Sequence, residues 1–287
     1  MSARIRAFLI HLFVSALVIL SLVAYVRWVW YPGGLFWLEG VTDPLTVLFG
    51  VDVVLGPLLT LLLYVPGKRG LKFDMGMIVA LQLAALVYGS HVLWNARPVA
   101  VAFNGEVFQV ARAYEMPETQ LPGWAGPGSP LGGPAFVFAD LSDDPEFVWK
   151  VLMEGHPDIH LLPEQYRPLA DRMTSLNMAA YRLEALADNE LFSQAWQRAL
   201  PETLSGAAPY LVLPIYGRVS DGAVVLNEED GSMAAILDVD IIGVDGASPR
   251  LTEAQEDEAG ADGAQEDDPA AEPPDQVAPP ARHADGG

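Results

Sequence analysis

Three long apolar stretches, joined by short polar segments, fill the first third of the chain. Residues 7 to 26 (AFLIHLFVSALVILSLVAYV) and 75 to 94 (MGMIVALQLAALVYGSHVLW) carry no formal charge, and residues 44 to 65 (PLTVLFGVDVVLGPLLTLLLYV) carry only Asp52. About 20 such residues suffice to cross ~30 Å of hydrocarbon, so each stretch predicts a transmembrane helix. The first also shares features with a signal peptide, since Arg4 and Arg6 precede it and Leu22-Val23-Ala24 is a weak cleavage site. Against that reading, its apolar run is too long, and Trp28, Trp30, Tyr31 and Trp37 follow as an interfacial aromatic belt.

After residue 95 the pattern changes to short elements. Residues 98 to 111 (PVAVAFNGEVFQVA) predict two strands around Asn104-Gly105, a strong hairpin signal. Residues 114 to 134 are rich in Pro and Gly and predict a long irregular loop. Ala135 to Ala139 predicts a strand, Asp143 or Asp144 a helix cap with Pro145 in the first turn, and residues 164 to 199 helical periodicity broken near Asp188-Asn189. Tyr210 to Arg218, Ala223 to Asn227 and Met233 to Val239 predict three strands of an antiparallel meander closing an α+β domain. Residues 246 to 287 hold almost no large apolar side chain and predict a disordered acidic tail. The expected organisation is thus an α-helical membrane protein with three transmembrane helices in residues 1 to 95, a C-terminal α+β exported domain in 96 to 245, and the tail in 246 to 287.

Charge sharpens this division. The net charge is −21 and the mean hydropathy +0.25. The first 94 residues are nevertheless slightly basic, with six Lys and Arg against four Asp and Glu, so the negative charge sits in the later parts. Those parts repel polyanions, which argues against a nucleic-acid partner. With no cysteine in the chain, disulfides, thiol nucleophiles and Cys-ligated metals are excluded.

The distribution of Lys and Arg sets the expected orientation. Arg4 and Arg6 precede the first span, and Lys68, Arg69 and Lys72 join the second to the third, so both sides are expected to be cytoplasmic. The domain after residue 95 is then exported.

Asp52 is the most informative residue in the spans, because a charge inside the bilayer costs about 2.5 to 3.5 kcal/mol on insertion scales and therefore faces other helices. If the second span starts at Pro44, Asp52 lies roughly 12 Å below its outer edge, at a depth that Ser21, Tyr88 and His91 share to within several Å. One reading is a neutral Asp bonded to Tyr88 or Ser21 within the bundle. The other is a contact for a partner's membrane helix, for which Gly50 and Gly56 leave room and Pro57 supplies a kink.

Several blocks in this region occur in a specific order: Trp30-Tyr31-Pro32-Gly33; Leu48-Phe49-Gly50-Val51-Asp52-Val53-Val54-Leu55-Gly56-Pro57-Leu58-Leu59-Thr60; Pro66-Gly67-Lys68-Arg69-Gly70-Leu71-Lys72-Phe73-Asp74; then Gln82-Leu83-Ala84-Ala85-Leu86, Tyr88-Gly89 and Ala96-Arg97-Pro98. With them the chain resembles the TfpX/TfpZ family of type IV pilin accessory proteins over about residues 4 to 103, and more faintly over 210 to 243. The resemblance implies a bacterial inner-membrane helper with a periplasmic domain, a type IV pilin and membrane lipid as partners, and a chaperone-like rather than catalytic role. It carries no catalytic residue over to this chain.

Other chemistry is sparse. Glu154, His156, Asp158 and His160 form a compact acidic and imidazole cluster, but Pro157 argues against one helix presenting both histidines, and a solvated loop is the expectation. Glu228-Glu229-Asp230-Gly231 lacks the alternating ligands of a calcium loop and predicts a turn. No nucleophile elbow, P-loop or dinucleotide fingerprint is present, so neither an enzyme nor a cofactor is expected. The alternative to a pilin accessory role is a membrane-anchored periplasmic sensor or small-ligand binding module.

Overall fold

The computed structural model describes residues 2–116, 121–122, 132–141, 144–153, 157–200, 210–244 and 247–249. The three apolar stretches form helices long and apolar enough to cross a membrane, α1 (Ala3–Trp30), α3 (Thr42–Leu63) and α4 (Leu71–Ala96). A short helix α2 (Leu35–Leu38) lies in the connection between the first two. His11, early in α1, meets Thr60, late in α3, so these two helices run antiparallel.

Two of the long helices loosen into π-helical turns, Val26–Trp30 at the end of α1 and Gly50–Leu55 inside α3. The second has a clear cause in Pro57. Proline has no N–H and its ring collides with the carbonyl one turn back, so the helix before it widens and the Gly56 N–H bonds to the Val51 carbonyl, five residues earlier.

The remaining chain builds a seven-stranded mixed sheet in the order β4-β3-β1-β2-β5-β6-β7. Its strands are β1 (Pro98–Phe103), β2 (Phe108–Arg112), β3 (Ala135–Ala139), β4 (Tyr166–Arg167), β5 (Tyr210–Tyr216), β6 (Gly222–Asn227) and β7 (Met233–Leu237). The hairpin expected at Asn104-Gly105 is present with a longer loop, in which Asn104 Oδ1 accepts the N–H groups of Glu106 and Val107 and Gly105 takes a left-handed φ of 108°. The closing meander β5-β6-β7 is antiparallel as expected. The sheet is not wholly antiparallel, however, because β1 pairs in parallel with β3 and β2 in parallel with β5. Parallel neighbours need long connections, and β1 and β3 are about 30 residues apart while β2 and β5 are about a hundred apart.

The region expected to be helical from 164 to 199 is shorter-grained than its periodicity suggests. It contains β4, α6 (Met173–Ala179), α7 (Leu183–Ala187) and α8 (Glu190–Ala199), and Tyr181 forms isolated bridges to Val212 and Pro249. The break near Asp188-Asn189 is where expected, and Asn189 caps α8 by accepting the Phe192 N–H at 3.0 Å. Ahead of these, α5 (Pro145–Met153) begins with the Glu146 N–H on Asp144 Oδ1. The alternative cap Asp143, most of the loop at 114 to 134, and the tail at 246 to 287 apart from residues 247 to 249 lie outside the described residues.

Both faces of the sheet are buried, and strict alternation sorts the residues. One face carries Val101, Phe103, Phe108, Val110, Leu211, Leu213, Ile215, Val224, Leu226 and Ile236. These join Val26, Trp30, Tyr31, Leu35, Phe36, Leu38, Leu45 and Leu93 in a single apolar cluster that continues from the long helices into the sheet. The other face packs Val212, Val225 and Leu237 against Leu186, Phe192 and Trp196 of α7 and α8.

Candidate functional site

Asp52 is 5% exposed and sits in the π-helical turn of α3. In that geometry its carbonyl would take the N–H of residue 57, but residue 57 is proline and the Gly56 N–H is already committed to Val51. Gln82 of α4 fills the gap, donating Nε2–H to the Asp52 carbonyl at 3.0 Å. This fixes the amide so that Oε1 lies 2.7 Å from His11 Nε2, and His11 Nδ1 lies 2.6 Å from Thr60 Oγ1. Because Gln82 Oε1 only accepts, His11 carries its proton on Nε2, and in the neutral ring Nδ1 accepts from the Thr60 hydroxyl. A buried polar chain thus ties all three long helices together.

One atom of this layer has no partner among the described residues, the carboxylate oxygen Asp52 Oδ2. Between α1 and α4 lies a cleft of about 200 Å³ with Asp52 in its lining, together with His11, Val14, Ser15, Val18, Gln82 and Leu83 among others.

Of the other residues singled out from the sequence, Tyr88, His91 and Ser21 make their contacts away from Asp52. Tyr88 is 72% exposed on the outer side of α4, beside His91 in a shallow concavity, and His91 bonds to Asn95. Ser21 donates to the Leu17 carbonyl of its own helix. Neither Tyr88 nor Ser21 is therefore the hydrogen-bond partner of Asp52. Pro57 is buried, and Gly56 faces Gln82 so closely that a Cβ would overlap the amide, whereas Gly50 opens onto empty space. Arg4, Arg6, Lys68, Arg69 and Lys72 are all exposed, with Lys68 bonded to Asp74 at 2.6 Å.

A second polar centre lies where the connection after α1 meets the sheet. Glu39, 3% exposed, accepts from Arg112 Nε at 2.7 Å, Arg112 Nη2 at 3.0 Å and the Arg218 N–H at 3.2 Å. Its carbonyl accepts from Arg218 Nε at 3.0 Å. This two-pronged pairing is the strong form of an Arg–carboxylate contact. Burial by itself would lower the Arg112 pKa, but the hydrogen bonds and charge of Glu39 outweigh it and hold the guanidinium more firmly protonated. Next to it Tyr31 donates to the Ala96 carbonyl at 2.9 Å, and burial followed by the Glu39 charge pushes its pKa up. Together with Asp43, Val92 and Tyr114, these residues line a pocket of about 310 Å³.

Over 116 residues, 39% of the chain, it is 34% identical to the fimbrial assembly protein of Dichelobacter nodosus serogroups C1 and C2, of which the match covers 88%. The chain belongs to the fimbrial assembly protein family. Fimbrial assembly proteins of serogroups E1 and I from the same organism are 35% and 36% identical over 116 residues. In these two relatives the match spans 45% of their length, so the chain covers less than half of each. No protein-family model matches. No solved structure matches either.

The residues that organise this family member were only partly visible in advance. His11, Thr60 and Gln82 are isolated polar positions in apolar runs, and that is their signal. Glu39 is a lone acid behind the apolar Leu35-Phe36-Trp37-Leu38. Of the acidic and imidazole cluster, Glu154 and His156 lie outside the described residues. His160 is buried rather than solvated, since Tyr166 donates to its carbonyl, and burial lowers its pKa. Among the described residues no group of three or more His, Cys, Asp or Glu is placed to hold a metal ion.

Proposed function

We propose that the protein is an inner-membrane accessory of fimbrial assembly that binds a type IV pilin, in a chaperone-like manner, and supports pilin stability or pilus assembly. The observation that carries this reading is the identity with a fimbrial assembly protein over nearly nine-tenths of that relative's length. Three helices of membrane-crossing length and a polar layer buried between them support a role inside the bilayer. The protein works by contact rather than by chemistry: a three-helix membrane domain over residues 1 to 95 and a periplasmic domain over 96 to 245 engage the pilin.

Co-purification tests the partner. After mild detergent extraction of cells making both proteins, the pilin should elute with the tagged chain, and deleting the chain should lower pilin level or surface piliation. Unchanged pilin and piliation, with no co-elution, would overturn the reading.

The orientation is tested separately. With Arg4, Arg6, Lys68, Arg69 and Lys72 on the cytoplasmic side, alkaline-phosphatase fusions after residue 110 should be active and fusions at residue 70 inactive. The reverse pattern would place the sheet in the cytoplasm.

A further inference from the structure

We infer that the cleft between α1 and α4 is a receptor for a single hydrogen-bonding side chain on a partner's transmembrane helix, with the unpaired oxygen of Asp52 as its acceptor. The inference rests on the pilin-accessory reading only for the partner's name. Its basis is geometric.

Three observations carry it. The first is the orphan itself, since Asp52 Oδ2 is buried and unbonded among the described residues while His11, Thr60 and Gln82 of the same layer all have partners. A buried acceptor left without a donor costs about 1 to 3 kcal/mol, and more if charged, so the free protein carries an unmet demand that a ligand can meet. Gln82 spends one amide N–H on the backbone carbonyl of Asp52, and its second is not placed to bond Oδ2.

The second observation is access. The cleft with Asp52 in its lining is walled by Val14, Val18 and Leu83, all strongly exposed on the outer surface of the bundle, so it opens sideways, where a neighbouring helix would lie, rather than toward either end. The third is size and lining. At about 200 Å³ the cleft falls below the 300 to 1,000 Å³ typical of small-molecule sites, which suits one inserted side chain. Its apolar walls with a polar floor match a hydroxyl, amide or amine carried on an apolar helix. A lipid acyl chain fills the walls but brings no donor for the floor.

The test places a benzophenone amino acid at position 83 on the cleft wall, and at exposed position 62 as a control, in the full chain in cells making the pilin. Ultraviolet crosslinks from position 83 should map by mass spectrometry to a pilin transmembrane segment, within about a turn of a hydroxyl, amide or amine side chain. Position 62 should not give them. Asp52→Leu should reduce the crosslink roughly tenfold, the effect of about one interhelical hydrogen bond at the upper end of its range in lipid. Asp52→Asn, which still accepts, should keep most of it. If Asp52→Leu fails to insert, Val18→Trp decides, because it fills the cleft while leaving Asp52 in place and should abolish the crosslink. Crosslinks to lipid alone, or crosslinks indifferent to both substitutions, would overturn the inference. Co-purification of pilin together with such a failure would leave the accessory role intact and remove only the cleft. Crosslinks with all the expected dependences to a different membrane helix would do the opposite.

Discussion

Replacing Glu39 with leucine should destabilise the folded protein by about 3 to 5 kcal/mol, the usual cost of removing one partner from a buried ion pair. The carboxylate satisfies two N–H groups of Arg112 and the backbone N–H of Arg218. Without it a guanidinium whose side chain is only 14% exposed keeps, among the described residues, Glu115 as its paired counter-charge. Thermal melting of the detergent-solubilised protein, followed by limited proteolysis of the sheet, reads the loss. Removing both charges should be far less harmful than the two single changes suggest, so Glu39→Leu combined with Arg112→Met should recover much of the stability. A single Glu39→Leu variant that melts with the parent would show that the pair is not needed to hold the connection against the sheet.

Gly34→Val should be almost as damaging, and for a steric reason. The Gly34 N–H donates to the Ile236 carbonyl at 2.8 Å, pinning the connection after α1 to strand β7. A Cβ on residue 34 would lie 2.7 Å from that same oxygen and 2.9 Å from the Asp238 nitrogen and the Leu237 carbonyl carbon. These are backbone atoms, which cannot rotate away as a side chain can. Overpacking of this kind costs about 1 to 3 kcal/mol, and the strained hydrogen bond adds about 1 kcal/mol more. Gly50→Ala is the matched control, since nothing lies within 4 Å of a Cβ there. Equal melting temperatures for Gly34→Val and the Gly50→Ala control would show that the connection is not seated on β7.

The outlines of the molecule were legible because hydrophobic periodicity reports burial directly. The three apolar runs, the hairpin after Pro98 and the final three strands all follow from local pattern. What local pattern does not encode is which strands lie side by side. The parallel pairing of β2 with β5 joins segments about a hundred residues apart, and the alternation within each is the same whichever neighbour it takes. At Asp52 the cost of a charge in an apolar helix predicts a buried residue, which it is, but not the neighbours it has. Depth alone points to Tyr88 and His91, yet both lie on the outer side of α4. Gln82, six residues before Tyr88, turns inward because Pro57 leaves a carbonyl there to satisfy. Glu39 was hidden for another reason. Its partner Arg112 ends β2 and its partner Arg218 lies two residues beyond β5, so nothing near Glu39 in the chain announces them.

The seating of Gly34 on Ile236 has a consequence for how the chain is made. The two residues are about 200 apart, a length that a ribosome takes roughly 10 to 40 s to translate. During that interval Leu35, Phe36 and Leu38 have emerged while β5, β6 and β7, whose Leu213, Val224 and Ile236 share their apolar cluster in the finished protein, do not yet exist. The nascent protein therefore displays an apolar hook beside α1 until β7 arrives to latch it. A copy cut short before β7 would lack Ile236, so the hook would keep neither its backbone latch nor that part of its apolar cover.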